Sequence, residues 1–319
     1  MMDYLNPYSV FIDLKNYFYD QKILKQIQTK IKIISIGNLN TGGSGKTPMI
    51  QFLAEALNDQ KILIVCKSYK ALLKKPSRVD LTSQNAVAIY GDEACLLQKL
   101  LPQCQVWSGP HKTETVFAAL TKYQNYDIIL IDDGFSHRKL FRHRDIILVD
   151  ASRKTSHYQL FPLGQMRESW KTLKRSDLVI LTKTEGLTEE QKKYFHHKIN
   201  PHQKNLIESQ FKSNLQSENK DLFLITGIAN PEKLKTDLQH SGYSVLKEKF
   251  YADHFAFPKS EQIRLLNEIE KNKNLQPVMT AKDLIKVTNS ELIGKIKLVD
   301  LKITFTDQAR KILNEKILS

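Results

Sequence analysis

Ile33-Ile34-Ser35-Ile36-Gly37-Asn38-Leu39-Asn40-Thr41-Gly42-Gly43-Ser44-Gly45-Lys46-Thr47-Pro48 is the stretch that decides the fold. A β-branched run enters a glycine-rich turn, followed by Lys-Thr and the apolar-periodic stretch Met49, Ile50, Phe52, Leu53, Ala56 and Leu57. That order reads as strand, loop, helix. Backbone N–H groups of such a loop and the helix N-terminus cradle phosphate oxygens, because their partial positive charges point the same way. Thr41, Gly42, Gly43, Ser44 and Gly45 form the cradle, Lys46 reaches the β/γ-phosphates, and the Thr47 hydroxyl sits on Mg²⁺. Asn40 stands where G-x-x-x-x-G-K-[ST] has its first glycine, so the pattern that fits is G-G-x-G-K-T. A glycine turn with a surface lysine is the plain alternative. It explains neither the glycine density nor the hydroxyl after the lysine.

At 319 residues the chain can bury a substantial core and has room for about two domains. An apolar fraction of 41% with few Gly and Pro indicates a globular chain. The net charge of +14 favours acidic partners: nucleic acid, an anionic membrane face or phosphorylated substrates. Cys66, Cys95 and Cys104 lack C-x-x-C spacing, which argues against a disulfide framework or a zinc site and fits a reducing compartment. No signal peptide or membrane-spanning run is evident, so the chain is expected in the cytosol or on a membrane surface.

Residues 7–27 carry Tyr8, Val10, Phe11, Leu14, Tyr17, Phe18, Ile23, Leu24 and Ile27 at helical spacing, with lysines between them. Such a helix lies either in a membrane interface or against its own domain. Strands are expected at 31–36, 62–65, 86–90, 127–131, 145–149 and 177–181, with helices at 48–57, 93–101 and 114–122. Apolar strands alternating with helices predict a parallel, doubly wound sheet whose ligands bind at the carboxyl ends of the strands. A second region follows residues 188–204, with strands at 205–211, 222–226, 278–280 and 297–301 and helices at 230–240 and 260–271.

The strand 127–131 ends in Asp132, Asp133 and Gly134, where a P-loop enzyme keeps its second metal-handling acid. If the strand continues through them, the two carboxylates point to opposite faces and should differ in role; a capped Asp-Asp-Gly turn is the plain alternative. Asp92 and Glu93 follow Tyr90-Gly91, where Asp92 can accept a hydroxyl proton and Glu93 can reach the metal, or both can be an ordinary helix start. His254 sits in an Asp-His pair among aromatics and can tune a carboxylate or simply close a turn. The basic run 137–144 (HRKLFRHR) can grip a phosphorylated substrate, bind RNA, or be a solvated loop; His137, Arg138 and the more distant Arg167 are the substrate-binding candidates. Residues 181–185 (LTKTE) loosely match the base-reading T-K-x-D of GTPases, with Glu185 in place of the acid.

Residues 35–48 (SIGNLNTGGSGKTP), 91–93 (GDE), 132–140 (DDGFSHRKL), 162–168 (PLGQMRE), 226–231 (TGIANP), 251–257 (YADHFAF) and 280–286 (TAKDLIK) occur in one order over nearly the whole chain. Together they resemble the tetraacyldisaccharide 4′-kinase family of the lipid A pathway. The resemblance implies transfer of the ATP γ-phosphoryl group to the 4′-hydroxyl of tetraacyldisaccharide 1-phosphate, with Mg²⁺. It implies peripheral attachment to the cytoplasmic face of the inner membrane, a monomer, and no nucleic-acid partner. Asp92 becomes the general base and His254 its dyad partner, Lys46 and Thr47 keep their roles, and Asp132 and Asp133 fall on the family's acidic pair. The helix in residues 1–28 becomes a membrane-docking element, 29–205 a P-loop kinase core, and 206–319 a smaller α/β domain, with the boundary anywhere in 185–220. Four departures stand out: Cys66-Lys67-Ser68-Tyr69-Lys70 replaces the usual Ser-Arg-Gly-Tyr-Gly, Ala94 a proline, Ser136 a glutamine, and Ala281 a glutamate. The rivals are another G-G-x-G-K-T ATPase, which would carry a signature lysine at the position of Thr41, and an RNA-associated NTPase using residues 137–144.

Overall fold

The computed structural model describes residues 6–40, 43–69, 71–83, 85–203, 205–228, 230–253 and 255–318. Helix α1 (Pro7–Asp20) leads into β1 (Lys32–Asn38), α2 (Lys46–Ala56), β2 (Ile62–Lys67), the short edge strand β3 (Ser77–Arg78), α3 (Ala86–Tyr90), α4 (Asp92–Leu100), β4 (Gln105–Gly109), α5 (Lys112–Lys122), β5 (Ile128–Asp132) and β6 (Arg144–Asp150). After two 3₁₀ turns come β7 (Leu178–Thr182), α6 (Glu189–Ile199), β8 (Leu206–Asn214), β9 (Asp221–Thr226), α7 (Pro231–His240), β10 (Ser244–Phe250) and α8 (Lys259–Lys271). The chain ends through β11 (Gln276–Thr280), α9 (Ala281–Leu284), α10 (Ser290–Lys295), β12 (Lys297–Thr304) and α11 (Asp307–Leu313).

The strands join in the order β10-β9-β11-β12-β8-β7-β6-β1-β5-β2-β4-β3. From β8 to β4 every pair is parallel, as is every pair from β10 to β12. The two parallel blocks meet in the antiparallel pair β8–β12, where Gln210 faces Thr304. The sheet therefore runs on through the expected 205/206 boundary, with β8 shared by both blocks.

Strands β5 and β7 are almost wholly Ile, Leu and Val, and β1 and β6 carry Ile, Leu and Val in their buried stretches, because helices cover both faces. Ile34, Ile36, Ile64, Leu130 and Ile146 are fully enclosed and pack against Met49, Ile50 and Leu53 of α2, each such side chain contributing about 1.5–3 kcal/mol. The C-terminal Leu313 and Ile317 close the same core.

One expected strand is a helix. Residues 86–90 form α3, whose Ala88 and Ile89 carbonyls accept from the Leu72 and Leu73 amides. A five-residue apolar run carries no period that separates strand from helix, and here the neighbouring segment 71–73 satisfies its carbonyls. Strands β3, β4 and β10 were not foreseen, and helix α1 ends at Asp20 although its apolar pattern continues to Ile27. Among the described residues no helix is long and apolar enough to cross a membrane.

Candidate active site

The carboxyl ends of β1, β2, β4, β5, β6 and β7 converge on the glycine loop. Gly45 stands at the start of α2 with φ of 94°, a left-handed conformation that costs a glycine nothing. A Cβ there would also meet the tip of the half-buried Phe211 ring of β8, so that ring would have to move aside. Thr182 at the end of β7 donates to the Ser44 carbonyl (3.2 Å), and Lys183 donates to the Gly43 carbonyl (3.1 Å) while its ammonium pairs with Asp150 (2.6 Å). The Thr-Lys of residues 182–183 thus braces the phosphate loop from beneath. Thr41 and Gly42 lie outside the described residues.

Asp132 ends β5, buried to 4% exposure, and its Oδ1 has no hydrogen-bond partner. Burial pushes its carboxyl up, to about 7, and the nearby Glu93 and Asp133 charges add to this against the pull of Lys46 and Lys112. Asp133 turns away from the strand at φ of 52° and receives the Arg167 guanidinium on both oxygens, at 2.9 and 2.6 Å. Burial would raise it too, but the Arg167 hydrogen bonds and the Lys46 and Lys112 charges hold it well below the usual carboxylate range. Adjacent acids therefore have opposite electrostatics, set by the left-handed turn at Asp133 that ends the strand rather than by alternation along it.

Arg167 is pinned as firmly as it pins. Its guanidinium also donates to Asn38 Oδ1 (2.7 Å), its amide donates to the Leu39 carbonyl (2.7 Å), and Tyr8 Oη of α1 donates to its carbonyl (3.1 Å). Beside it a pocket of about 200 Å³ is lined by Lys67, His111, Lys112, Asp133, His137 and Arg167. Lys112 is 6% exposed and donates to the Asp133 carbonyl (2.7 Å); burial lowers its pKa against the attraction of Asp133 and Asp132. His137 shares a hydrogen bond with Thr113 (2.9 Å), and burial with the Lys112 and Arg142 charges holds it down near 4, so it is neutral at pH 7. A small basic pocket next to a phosphate loop fits an anionic oxygen. A wider hollow of about 650 Å³ at the opposite ends of β6–β8, lined by Arg144, Asp177, His202 and Lys316, mixes both signs of charge and holds none of these groups.

The other expected residues divide. Asp92 opens α4, where its Oδ1 accepts from the Glu93 amide (2.9 Å), and Glu93 lies close enough to Asp132 to raise it. His254 lies outside the described residues. Its flanks belong to the junction of the two sheet blocks: Asp253 pairs with Lys282 of α9 (3.0 Å), and α9 packs on α4. Beneath them Asp283, fully buried, accepts from Thr226 (2.7 Å), the Gly227 amide (3.0 Å) and Thr280 (2.8 Å). Arg138 is placed apart from His137. It is 8% exposed, pairs with Asp20 (2.8 Å), donates to the Asn16 carbonyl (2.8 Å), and so fastens α1 to the body. Lys67 and Lys112 were missed. The Gly109-Pro110 turn after the apolar Val106-Trp107 was the available signal for Lys112, since it marks a strand end and a helix start on the same edge.

Among the described residues no three His, Cys, Asp or Glu side chains are arranged to hold a metal by protein groups alone. Mg²⁺ needs no such cage, because it keeps waters and takes substrate phosphate oxygens beside one or two carboxylates. The orphaned Asp132 oxygen and the buried, unpartnered Ser44 hydroxyl fit a site that a nucleotide and its cation complete.

Fold and site together define a P-loop nucleotide-dependent enzyme. The family model described as tetraacyldisaccharide-1-P 4′-kinase matches residues 5–318, and the chain belongs to that family. It is 31% identical over 306 residues to the tetraacyldisaccharide 4′-kinase of Bdellovibrio bacteriovorus, covering 90% of each chain. It is 30% identical over 295 residues to that of Francisella tularensis, covering 89% of each. A similar solved structure is the LpxK of Aquifex aeolicus, crystallised in complex with ATP: TM-score 0.75, 23% identity, 97% of this chain and 95% of that one.

Proposed function

We propose that this chain transfers the γ-phosphoryl group of ATP to the 4′-hydroxyl of tetraacyldisaccharide 1-phosphate. The observation that carries this reading is one strand edge holding the glycine loop, Lys46, a buried Asp132 with an unpartnered oxygen and the Arg167–Asp133 pair, in a member of this family. Gly43, Ser44, Gly45 and the start of α2 receive the phosphates, and Lys46 offsets charge on the β/γ oxygens. Thr47 and Asp132 would hold Mg²⁺, with Glu93 close by; the cation neutralises phosphate charge when bound. Asp133, occupied by Arg167, acts by holding that arginine and the loop 38–40 in place.

Phosphoryl transfer needs positioning and charge stabilisation more than covalent help. An alcohol attacks once its proton can leave, and Asp92 at the head of α4 is the acceptor, with His254 as its partner. Lys67, Lys112, His137 and Arg167 offer the pocket for an anionic group of the substrate. The two parallel blocks share β8, and α4, which Asp92 opens, packs on α9, whose Lys282 pairs with Asp253.

The substrate is lipid-borne, and α1 suits a membrane surface. Its fully buried positions are polar, with Ser9 and Asn16 each 7% exposed and Ile12, Phe18 and Tyr19 half-buried beside them, while Val10, Phe11, Leu14 and Tyr17 face outward and Phe11 is 65% exposed. A helix packed on its own domain shows the reverse pattern. The cytoplasmic face of the inner membrane is where ATP and such a lipid meet.

Transfer of labelled γ-phosphate from ATP to tetraacyldisaccharide 1-phosphate in detergent micelles, with Mg²⁺ and with EDTA, tests the reading. A Mg²⁺-dependent bis-phosphorylated product is expected. ATP hydrolysis without product would leave a P-loop ATPase and refute the substrate.

A further inference from the structure

Large apolar side chains are exposed in a second place, the loop between the 3₁₀ turn at Thr155–Tyr158 and Arg167. Phe161 is 58% and Leu163 65% exposed, with Pro162 exposed between them. Scattered exposed apolar residues are ordinary, but these are held out by a built loop. The Phe161 amide donates to the Met166 carbonyl (3.0 Å), the Met166 amide to Gln159 (2.9 Å), and the Leu163 and Gly164 amides to Leu160 (3.0 and 3.2 Å). A Cβ on Gly164 would strike the Gln159 backbone, and Met166 at the base is 1% exposed. The loop cannot fold its tip inward without breaking this frame.

The tip also adjoins α1. Asn6 Nδ2 donates to the Phe161 carbonyl (2.7 Å), and the Tyr8 ring meets Phe161 edge-on at 5.7 Å. At about 100° per residue, Val10, Phe11, Leu14 and Tyr17 fan over about 120° of the helix, and Tyr8 lies about 60° beyond Phe11. Phe161 therefore borders the outward apolar face of α1 on its Phe11 side, about 80–100° round the helix from the buried Asn16 and Ser9. Lys22 and Lys25, which follow α1, Lys139, whose carbonyl accepts from the Ile27 amide, and Lys154, just before the 3₁₀ turn, are exposed, in a chain of net charge +14.

We propose that residues 160–164 are a second membrane-contacting element, which with α1 forms one footprint on an anionic phospholipid bilayer. The proposal rests on the membrane reading of α1. Large apolar groups bordered by lysines suit insertion at the acyl boundary, with ammonium groups at the lipid phosphates. The position matters for chemistry, because the loop runs straight into Arg167 and Met166 bridges to Asn40 at the glycine loop. A bilayer seated on this footprint brings a lipid-anchored headgroup alongside the pocket of Lys112, His137 and Arg167.

The test is sedimentation of the full-length protein with phosphatidylethanolamine–phosphatidylglycerol vesicles. Three forms are compared: wild type, Phe161→Ser with Leu163→Ser, and Phe11→Ser with Leu14→Ser. The loop variant should partition at least about tenfold more weakly, as expected for withdrawing two large side chains from lipid, with unchanged thermal unfolding and ATP binding. Phe161→Trp should shift its emission to the blue when vesicles are added. If the α1 variant detaches while the loop variant binds normally and the tryptophan emission stays put, the bilayer touches α1 alone and the proposal falls. If both variants bind as wild type does, the membrane reading of α1 falls with it. Self-association abolished in the loop variant, with vesicle binding intact, would assign the tip to a second copy of the chain and equally overturn the proposal.

Discussion

Charged groups gather under α1 and at the glycine-loop edge, and the two regions treat them in opposite ways. Under α1, Arg138 is answered by Asp20 and Asn16, Arg142 by Asp145, and the buried Glu168 by Asn16 and Arg175. At the glycine loop, Asp132 keeps an oxygen without a partner among Lys46, Glu93 and Lys112. Paired charges make a joint; a buried acid whose orphaned oxygen lies at the phosphate-loop edge of the sheet, beside Lys46, fits a site that a ligand completes. The basic run 137–144 shows how sequence blurs this difference. It reads as one patch, yet His137 enters the pocket, Arg138 and Arg142 enter the joint, and Arg144 goes to the far end of β6.

The largest effects should come from the ligand-facing side. Asp92→Asn should lower turnover by about 10²–10⁴ and leave ATP affinity nearly unchanged, measured by labelled phosphate transfer and nucleotide titration. Nearly normal turnover would exclude Asp92 as the base. Next in size is Arg167→Met, which strips a bidentate, charge-assisted pair from Asp133 and should cost about 10–100-fold in kcat/KM. Asp133→Asn acts through the same contact, so the double variant should lose much less than the product of the two. Fully multiplicative losses would mean that the two side chains work independently.

Arg138→Ala probes the joint. It leaves the Asn16 carbonyl and Asp20 without their cation, and should lower stability by about 2–3 kcal/mol, seen in thermal unfolding, with ATP binding kept. A raised KM for the lipid substrate at unchanged unfolding temperature would return Arg138 to the substrate-gripping role its sequence neighbours suggest.

These contrasts also mark what the sequence could reveal. The glycine loop, the β5 acids and the Gly-Asp-Glu turn are local, each written in consecutive residues, although only the glycine loop stands in the expected strand–turn–helix context and Gly-Asp-Glu joins helices α3 and α4. The expected core strands appear within a residue or two where β-branched runs are buried on both faces. Strand β4 escaped because Gln105 and Ser108 interrupt its apolar pattern, and with it went the start of α5 and Lys112. Arg138 and Lys183 take their roles from partners 118 and 140 residues away in sequence, Asp20 and the Gly43 carbonyl. No periodicity encodes such partners. The outward apolar face of α1 was open to two readings because a membrane face and a core face have the same spacing, and only the burial of Ser9 and Asn16 separates them.

The smallest effect concerns His137, the one member of the basic run that reaches the pocket. Burial and the Lys112 and Arg142 charges hold its pKa near 4 against 6.5 for a free imidazole, so the unfolded chain takes up the proton first. Stability should therefore fall as pH drops from about 6.5 towards 4 and gain no further penalty from this group below that. The slope must be shallower than about 1.4 kcal/mol per pH unit, because the pocket is open to water and its charges are screened. His137→Gln can still hydrogen-bond Thr113 but does not titrate, so urea denaturation of the two proteins should agree at pH 7 and diverge in acid, with the variant the more stable. Parallel curves throughout would show that water reaches His137 freely and that the pocket exerts no net positive field. Divergence in the opposite sense would mean that an acid dominates there, which would remove the basis for placing an anionic substrate group between Lys112 and Arg167.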